Sequence, residues 1–307
     1  MKIKIIFIIF SFIIFAAALC FSYRIYKEYR NIKKGQILLE RREAGWLHLK
    51  KVLENNVSNF EGTIGMVIED LDTGRRIVFN ENNLIPSASL VKLPVMLSCF
   101  YAARERKISL KDTITLRSSE RVAGSRVLGR EPNGTVFTVE ELFNPMITQS
   151  DNVAANILID FLGFDMLNMY FKKMGLQNTN IVRKMMDFKE RRAGEENYTT
   201  ARDMAYLLEE LYYQRFLNKD VSTRCLEILG QQKINDRIPR KLPKGTFVLH
   251  KTGLEKHVCH DVGIVFTEKG NFLICVLAKH EDRFAKATKK FIANVTVLVY
   301  NYYQNFY

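Results

Sequence analysis

Polar and apolar positions follow a strand period near both ends of the body of the chain and a helical period between them. Residues 63–71 are rich in β-branched side chains, Asp72-Thr73-Gly74 supplies turn chemistry, and 75–80 resume the strand pattern, which predicts a hairpin. Segments 245–250, 259–267 and 271–278 predict three more strands, the last two joined at Glu268-Lys269-Gly270. Between these ends, helical spacing predicts helices over 90–106, 139–147, 152–162, 166–174, 201–213 and 221–229. Thr138 with Glu141 has capping-box spacing, and Thr200 with Asp203 a weaker version of it. A last helix over 280–302 would cover one face of the sheet. Strands, helices, strands and a helix in that order predict an α+β fold with a helical insertion, not alternating parallel units.

The N-terminal region has a different pattern. Residues 5–23 carry no charge and nearly match a hydrocarbon core of about 30 Å, so they predict one membrane helix or an export signal, flanked by Lys2 and Lys4. Ala16-Ala17-Ala18 offers a cleavage pattern, yet the apolar run continues to Tyr23, which favours an uncleaved anchor over a secreted form cut near Ala18. The bulky Leu19 before Cys20 argues against lipid attachment there. Residues 24–55 read as a basic helical stem; Leu38, Leu39, Trp46, Leu49 and Leu53 form an apolar face on what is expected to be a solvated linker helix. Residues 56–307 form the body.

Composition narrows the partners. With 46 Lys plus Arg against 33 Asp plus Glu, the net charge of +13 suits an anionic surface or polymer. Aromatics are not interleaved with the basic residues, so nucleic acid is not expected. Five cysteines without C-x-x-C spacing exclude a fold built on bridges.

Three short motifs carry the chemistry. Ser89-Leu90-Val91-Lys92 places a hydroxyl and an amine one helical turn apart at the head of an apolar run. There the lysine can take the serine proton if burial and positive neighbours lower its pKa, while helix-terminal amides favour developing negative charge. Ser150-Asp151-Asn152 is the second motif, and Lys251-Thr252-Gly253, placed directly after the strand at 245–250, is the third. Each is common by chance; all three in this order, in consistent contexts, are not.

On these motifs residues 60–303 resemble the penicillin-recognising serine hydrolases, most closely class A β-lactamases and their relatives, supported by Thr138-Val139-Glu140-Glu141-Leu142 and by the run from Tyr198 to Met204. The resemblance implies a β-lactamase/transpeptidase-like fold: a five-stranded antiparallel sheet with flanking helices, and an all-helical subdomain at about 89–235 inserted into it. It implies Ser89 as acylated nucleophile, Lys92 as its base or proton relay, Ser150 as proton donor to the leaving nitrogen and Lys251 as electrostatic support. It further implies that Asn152 binds the substrate side-chain amide and Thr252 its carboxylate. Gly253 would allow close approach at the strand edge, and the amides of Ser89 and Leu254 would form the oxyanion hole. No cofactor and no metal is implied.

One departure bears on turnover. After Met174-Gly175-Leu176, the position of the family's deacylating Glu falls on Met185 and that of the following Asn on Lys189, and a thioether takes no proton. Asp187, and less plausibly Glu190, could substitute in a shifted loop, and Asn197 stands where an Asp partner for Arg183 is expected. The expectation is rapid acylation with slow release.

His257, Cys259, His260 and Asp261 have metal-binding side chains, but strand alternation lets only two or three converge, so they are expected as strand residues near the cleft rim. Arg126 falls on the connection that walls the cleft in this family. The readings are then a membrane-tethered, monomeric acyl-serine hydrolase acting on β-lactams or D-alanyl wall peptides, the same fold with another amide or ester, and a non-catalytic wall-binding protein. Arg24, Lys27, Arg30, Lys33, Lys34, Arg41 and Arg42 outnumber Lys2 and Lys4 and favour a cytoplasmic body by charge. Substrates found only outside the cytoplasm favour the opposite, periplasmic or cell-surface side.

Overall fold

The computed structural model describes residues 2–306, with side chains from residue 15 onward. In chain order the elements begin with α1 (Lys2–Ser58), β1 (Thr63–Asp70), β2 (Arg76–Phe79), β3 (Ile85–Pro86), a 3-10 turn (Ala88–Val91) and α2 (Lys92–Arg104). The helical region adds β4 (Thr113–Thr115), β5 (Val136–Thr138), α3 (Phe143–Thr148), α4 (Asn152–Leu162), α5 (Phe164–Lys173), α6 (Phe188–Arg192), β6 (Tyr198–Thr199), α7 (Ala201–Tyr212) and α8 (Lys219–Gly230). Strands β7 (Val248–Glu255), β8 (Val258–Thr267) and β9 (Gly270–Lys279) and helix α9 (Lys286–Phe306) complete it.

The main sheet runs β2-β1-β9-β8-β7, antiparallel throughout, so the α+β expectation holds. Its two faces are read directly from strand alternation. On β9, Cys275 and Leu277 join the cluster under the helical region with Leu93, Leu97 and Leu158, whereas Ile274 and Val276 join a second cluster with Val295, Val299 and Tyr303 of α9. The insertion therefore sits on one face, and the two terminal helices cover the other.

The stem differs from the expected solvated linker in its last turns. Trp46, Leu49 and Leu53 are buried against the sheet with α9, each contributing about 1.5–3 kcal/mol relative to exposure, while Leu38 and Leu39 remain exposed. Residues 15–41 are exposed throughout. The apolar run at 5–23 lies partly outside the described side chains, and among the described residues no single helix is both long and apolar enough to cross a membrane.

Other boundaries shift for local reasons. The third motif is not placed after a strand but lies within β7, which continues to Glu255 because each of its residues pairs with β8. The Thr138 capping box forms, yet α3 starts only at Phe143. The last helix starts at Lys286 because Asp282 accepts the amides of Phe284 and Ala287, which closes the link after β9.

Candidate active site

Ser89 sits half-buried in the 3-10 turn, preceded by Ala88 in the left-handed region at φ 44°. A non-glycine residue there costs energy unless its surroundings hold it, and Leu90 and Val91 anchor the turn in the core. Lys92, the first residue of α2, is fully buried. Its ammonium donates to Ser150 O at 2.6 Å, to Asn152 Oδ1 at 2.6 Å and to Ser150 Oγ at 3.3 Å.

Ser150 links α3 to α4 and also has a positive φ, 58°. Its hydroxyl accepts a second ammonium, that of Lys251, at 3.0 Å. Two buried amines thus converge on one hydroxyl. Burial holds the Lys92 amine down to about 7, with Asp151 pulling the other way. Burial likewise holds Lys251 well below the ordinary lysine value, reinforced by the charges of Lys92 and Arg237. A lysine that gives up its proton near neutrality is suited to act as a base.

Asp151, between the two functional members of its motif, is structural and was missed in the sequence. Fully buried, it caps α4 by accepting Ala154 N at 3.1 Å and accepts the amides of Val127 and Leu128 at 3.0 and 3.1 Å. An Asp directly before an apolar helical run is the signal that could have revealed the cap. Asn152 is bonded on both sides, to Lys92 and, through Nδ2, to Ala123 O at 2.8 Å. Arg126 is exposed on the same connection.

Thr252 is buried and Leu254 half exposed on β7. Gly253 also has a packing reason. A Cβ there would lie 2.8 Å from the His260 ring and 3.3 Å from Leu90, so its absence lets β7 pack against the Ser89 turn. His260 itself lies between Pro86 O, 2.9 Å from Nε2, and Ala278 N, which donates to Nδ1 at 3.1 Å. His257 contacts Glu281, and among the described residues no three metal-binding side chains converge. Beside Lys251, the buried His250 bridges Asp261 (2.9 Å) and Asn235 (3.0 Å), fixing the segment before β7; sequence reading gave no sign of it.

A cavity of about 50 Å³ is walled by Ser89, Asn152, Arg183, Met185, Leu254 and Glu255, among others. Met185 reaches it because Asn156 clamps its backbone, donating to Met185 O at 3.1 Å and accepting Met185 N at 2.7 Å. Asp187 is not among the lining residues; its carboxylate caps α6 by accepting Glu190 N. Asn197 closes the loop by accepting Val182 N and Arg183 N and donating to Arg183 O. The charge of Arg183 is answered instead by Glu196 at 2.6 Å and Glu255 at 3.2 Å, and Arg191 also holds both carboxylates.

Comparison with known proteins agrees with this arrangement. A family model described as "Beta-lactamase enzyme family" matches residues 48–303. Beta-lactamase VEB-1 of Pseudomonas aeruginosa is 23% identical over 82% of this chain and 89% of its own length. Among solved structures, a β-lactamase from Sphaerobacter thermophilus DSM 20745 superposes with a TM-score of 0.76 at 29% identity, covering 84% of this chain and 97% of that one. A mutant of PBP-A in an acyl-enzyme complex with penicillin G gives a TM-score of 0.76 at 27% identity, with the same coverages.

Proposed function

Because this chain belongs to the β-lactamase enzyme family, we propose that it is a serine hydrolase acylated at Ser89 by β-lactams and released from the acyl state slowly. The observation that carries this is the convergence of Lys92 and Lys251 on the Ser150 hydroxyl beside the Ser89 turn. Neutral Lys92 takes the Ser89 proton, and Ser89 Oγ attacks the lactam carbonyl. The amides of Ser89 and Leu254 receive the oxyanion, a donor pair of which each member typically supplies about 2.7–4 kcal/mol. The C–N bond then breaks as Ser150 gives its proton to the nitrogen, and the lysine ammoniums resupply Ser150. Thr252 and Asn152 would hold the substrate carboxylate and side-chain amide, the latter at the expense of a present bond.

Slow release follows from the opposite wall. Met185 offers no base, and Glu255, the carboxylate in the cavity wall, is held by two guanidiniums. Intact-mass spectrometry after a penicillin pulse tests both halves: a persistent adduct on the wild type and none on Ser89→Ala is expected. No adduct and no hydrolysis would defeat the reading, and rapid turnover would defeat its second half.

The exposed Phe15, Leu19, Phe21 and Tyr23 belong to the apolar run at 5–23 and support a membrane tether, and a substrate found only outside the cytoplasm favours a body on that side. Membrane fractionation of chains with and without residues 2–23 tests the tether, and accessibility of the body to external protease tests the side.

A further inference from the structure

Within the reaction proposed above, on which this rests, we infer that Gln232 is a positioning residue that sets the contact between Ser150 and Lys251. Those two side chains come from different parts of the fold: Ser150 follows α3 in the helical insertion, and Lys251 lies on β7 of the sheet. Their bond of 3.0 Å therefore depends on how the end of α3 is held against β7. The buried Gln232, just past the end of α8, stands between them. Its amide nitrogen donates to Ile147 O at 3.1 Å and to His250 O at 3.2 Å. Ile147 is three residues before Ser150, and His250 immediately precedes Lys251.

The amide is used at both ends. Its Oε1 accepts Lys233 N at 3.0 Å and Ile234 N at 3.1 Å. Turning the group over would set its oxygen against two carbonyls, so only this orientation fits. Neither carbonyl has a ready partner in its own element: Ile147 is in the last turn of α3, and β7 is an edge strand of the sheet. Lys233 N also donates to Thr148 O at 3.0 Å, so two successive carbonyls before Ser150 are tied to this link. An amide that served only its own turn would stop at residues 233 and 234; this one reaches across 85 and 18 positions to the roots of the proton-relay side chains. Ser150 is itself held at φ 58°, a conformation its surroundings must impose. Without the bridge, the end of α3 can shift against β7, which separates the Ser150 hydroxyl from the ammonium that resupplies its proton. Lys92 keeps Asn152 Oδ1 at 2.6 Å, so the base for Ser89 is held from α4 as well.

The test compares acylation of the full chain, in detergent, by penicillin and by p-nitrophenyl phenylacetate, whose phenolate leaves without a proton and so does not call on Ser150. Gln232→Met should lower the limiting rate with penicillin by about 10–100-fold, as a misplacement of about 1 Å does, with the half-saturating concentration within about twofold of the wild type. Reaction with the ester should stay within about threefold of the wild type. Asn144→Ala, which removes the exposed 2.7 Å bond to Gln231 Oε1 and so another tie between α3 and the end of α8, should change neither rate. Gln232→Asn, polar but too short to span both carbonyls, gives the same split where the Met variant does not fold. The inference is overturned if penicillin acylates the Gln232 variants at the wild-type rate, if the ester slows as much as penicillin, or if Asn144→Ala slows penicillin equally. A wild type that neither reagent acylates at Ser89 would remove the proposed function, and this inference with it.

Discussion

The two walls around Ser89 use their polar groups in opposite ways. On the α2, α4 and β7 side, Lys92 and Lys251 point at one hydroxyl, and neither ammonium is bonded directly to a carboxylate among the described residues. On the loop side, Arg183, Arg191, Glu196 and Glu255 satisfy one another, and Met185 is what reaches the cavity. Desolvated amines bonded only to neutral groups are poised for proton transfer; a closed set of ion pairs is poised to hold a shape. On the function proposed here, the difference assigns making the ester and hydrolysing it to separate walls, so that one can be kept while the other is rewired.

The largest effect should come from the first wall. Lys92→Met is expected to slow acylation by about 10²–10⁴-fold, measured as the rate of fluorescent-penicillin labelling. In the wild type that rate should fall as pH drops through about 7, because below its pKa Lys92 is protonated and no longer a base; the Met variant should lose this limb. On the second wall, Met185→Glu should shorten the adduct lifetime by about 100-fold, since Asn156 already holds that backbone in the cavity wall. An unchanged lifetime would mean that the loop's shape, not the missing base, limits release.

Asp151→Ala should cost about 2 kcal/mol by thermal or denaturant unfolding, combining a lost cap with two unanswered amides. The smallest effect is expected at Asp187→Ala: about 0.5–1 kcal/mol from the α6 cap and no change in adduct lifetime. A lengthened lifetime would return Asp187 to the chemistry.

Local signals were legible before the fold was known. The β1–β2 hairpin follows from alternation plus a Gly turn, and the three motifs announced four side chains that the fold brings to a shared crevice and its immediate surroundings. What escaped depends on partners far apart in sequence. Arg183 meets Glu255 across 72 positions, and His250 is fixed by Asn235 and Asp261, pairings that leave no periodicity to read. The burial of Trp46, Leu49 and Leu53 escaped because a partly exposed amphipathic helix and a docked one share the same pattern. Gly253 was legible as a glycine requirement, but the packing against it, the ring of His260 behind it, was not.

Helix α1 runs unbroken from Lys2 into the turns that carry Trp46, Leu49 and Leu53. Its exposed stretch over residues 15–41 would measure about 40 Å at 1.5 Å per residue. On the proposed tether, a body mounted on such a post is not on a leash: it has a set standoff and heading from the membrane. The crevice then samples a thin shell of its surroundings, and inserting a few glycines near Gly35, where a side chain would meet nothing within 4 Å, would turn the post into a swivel.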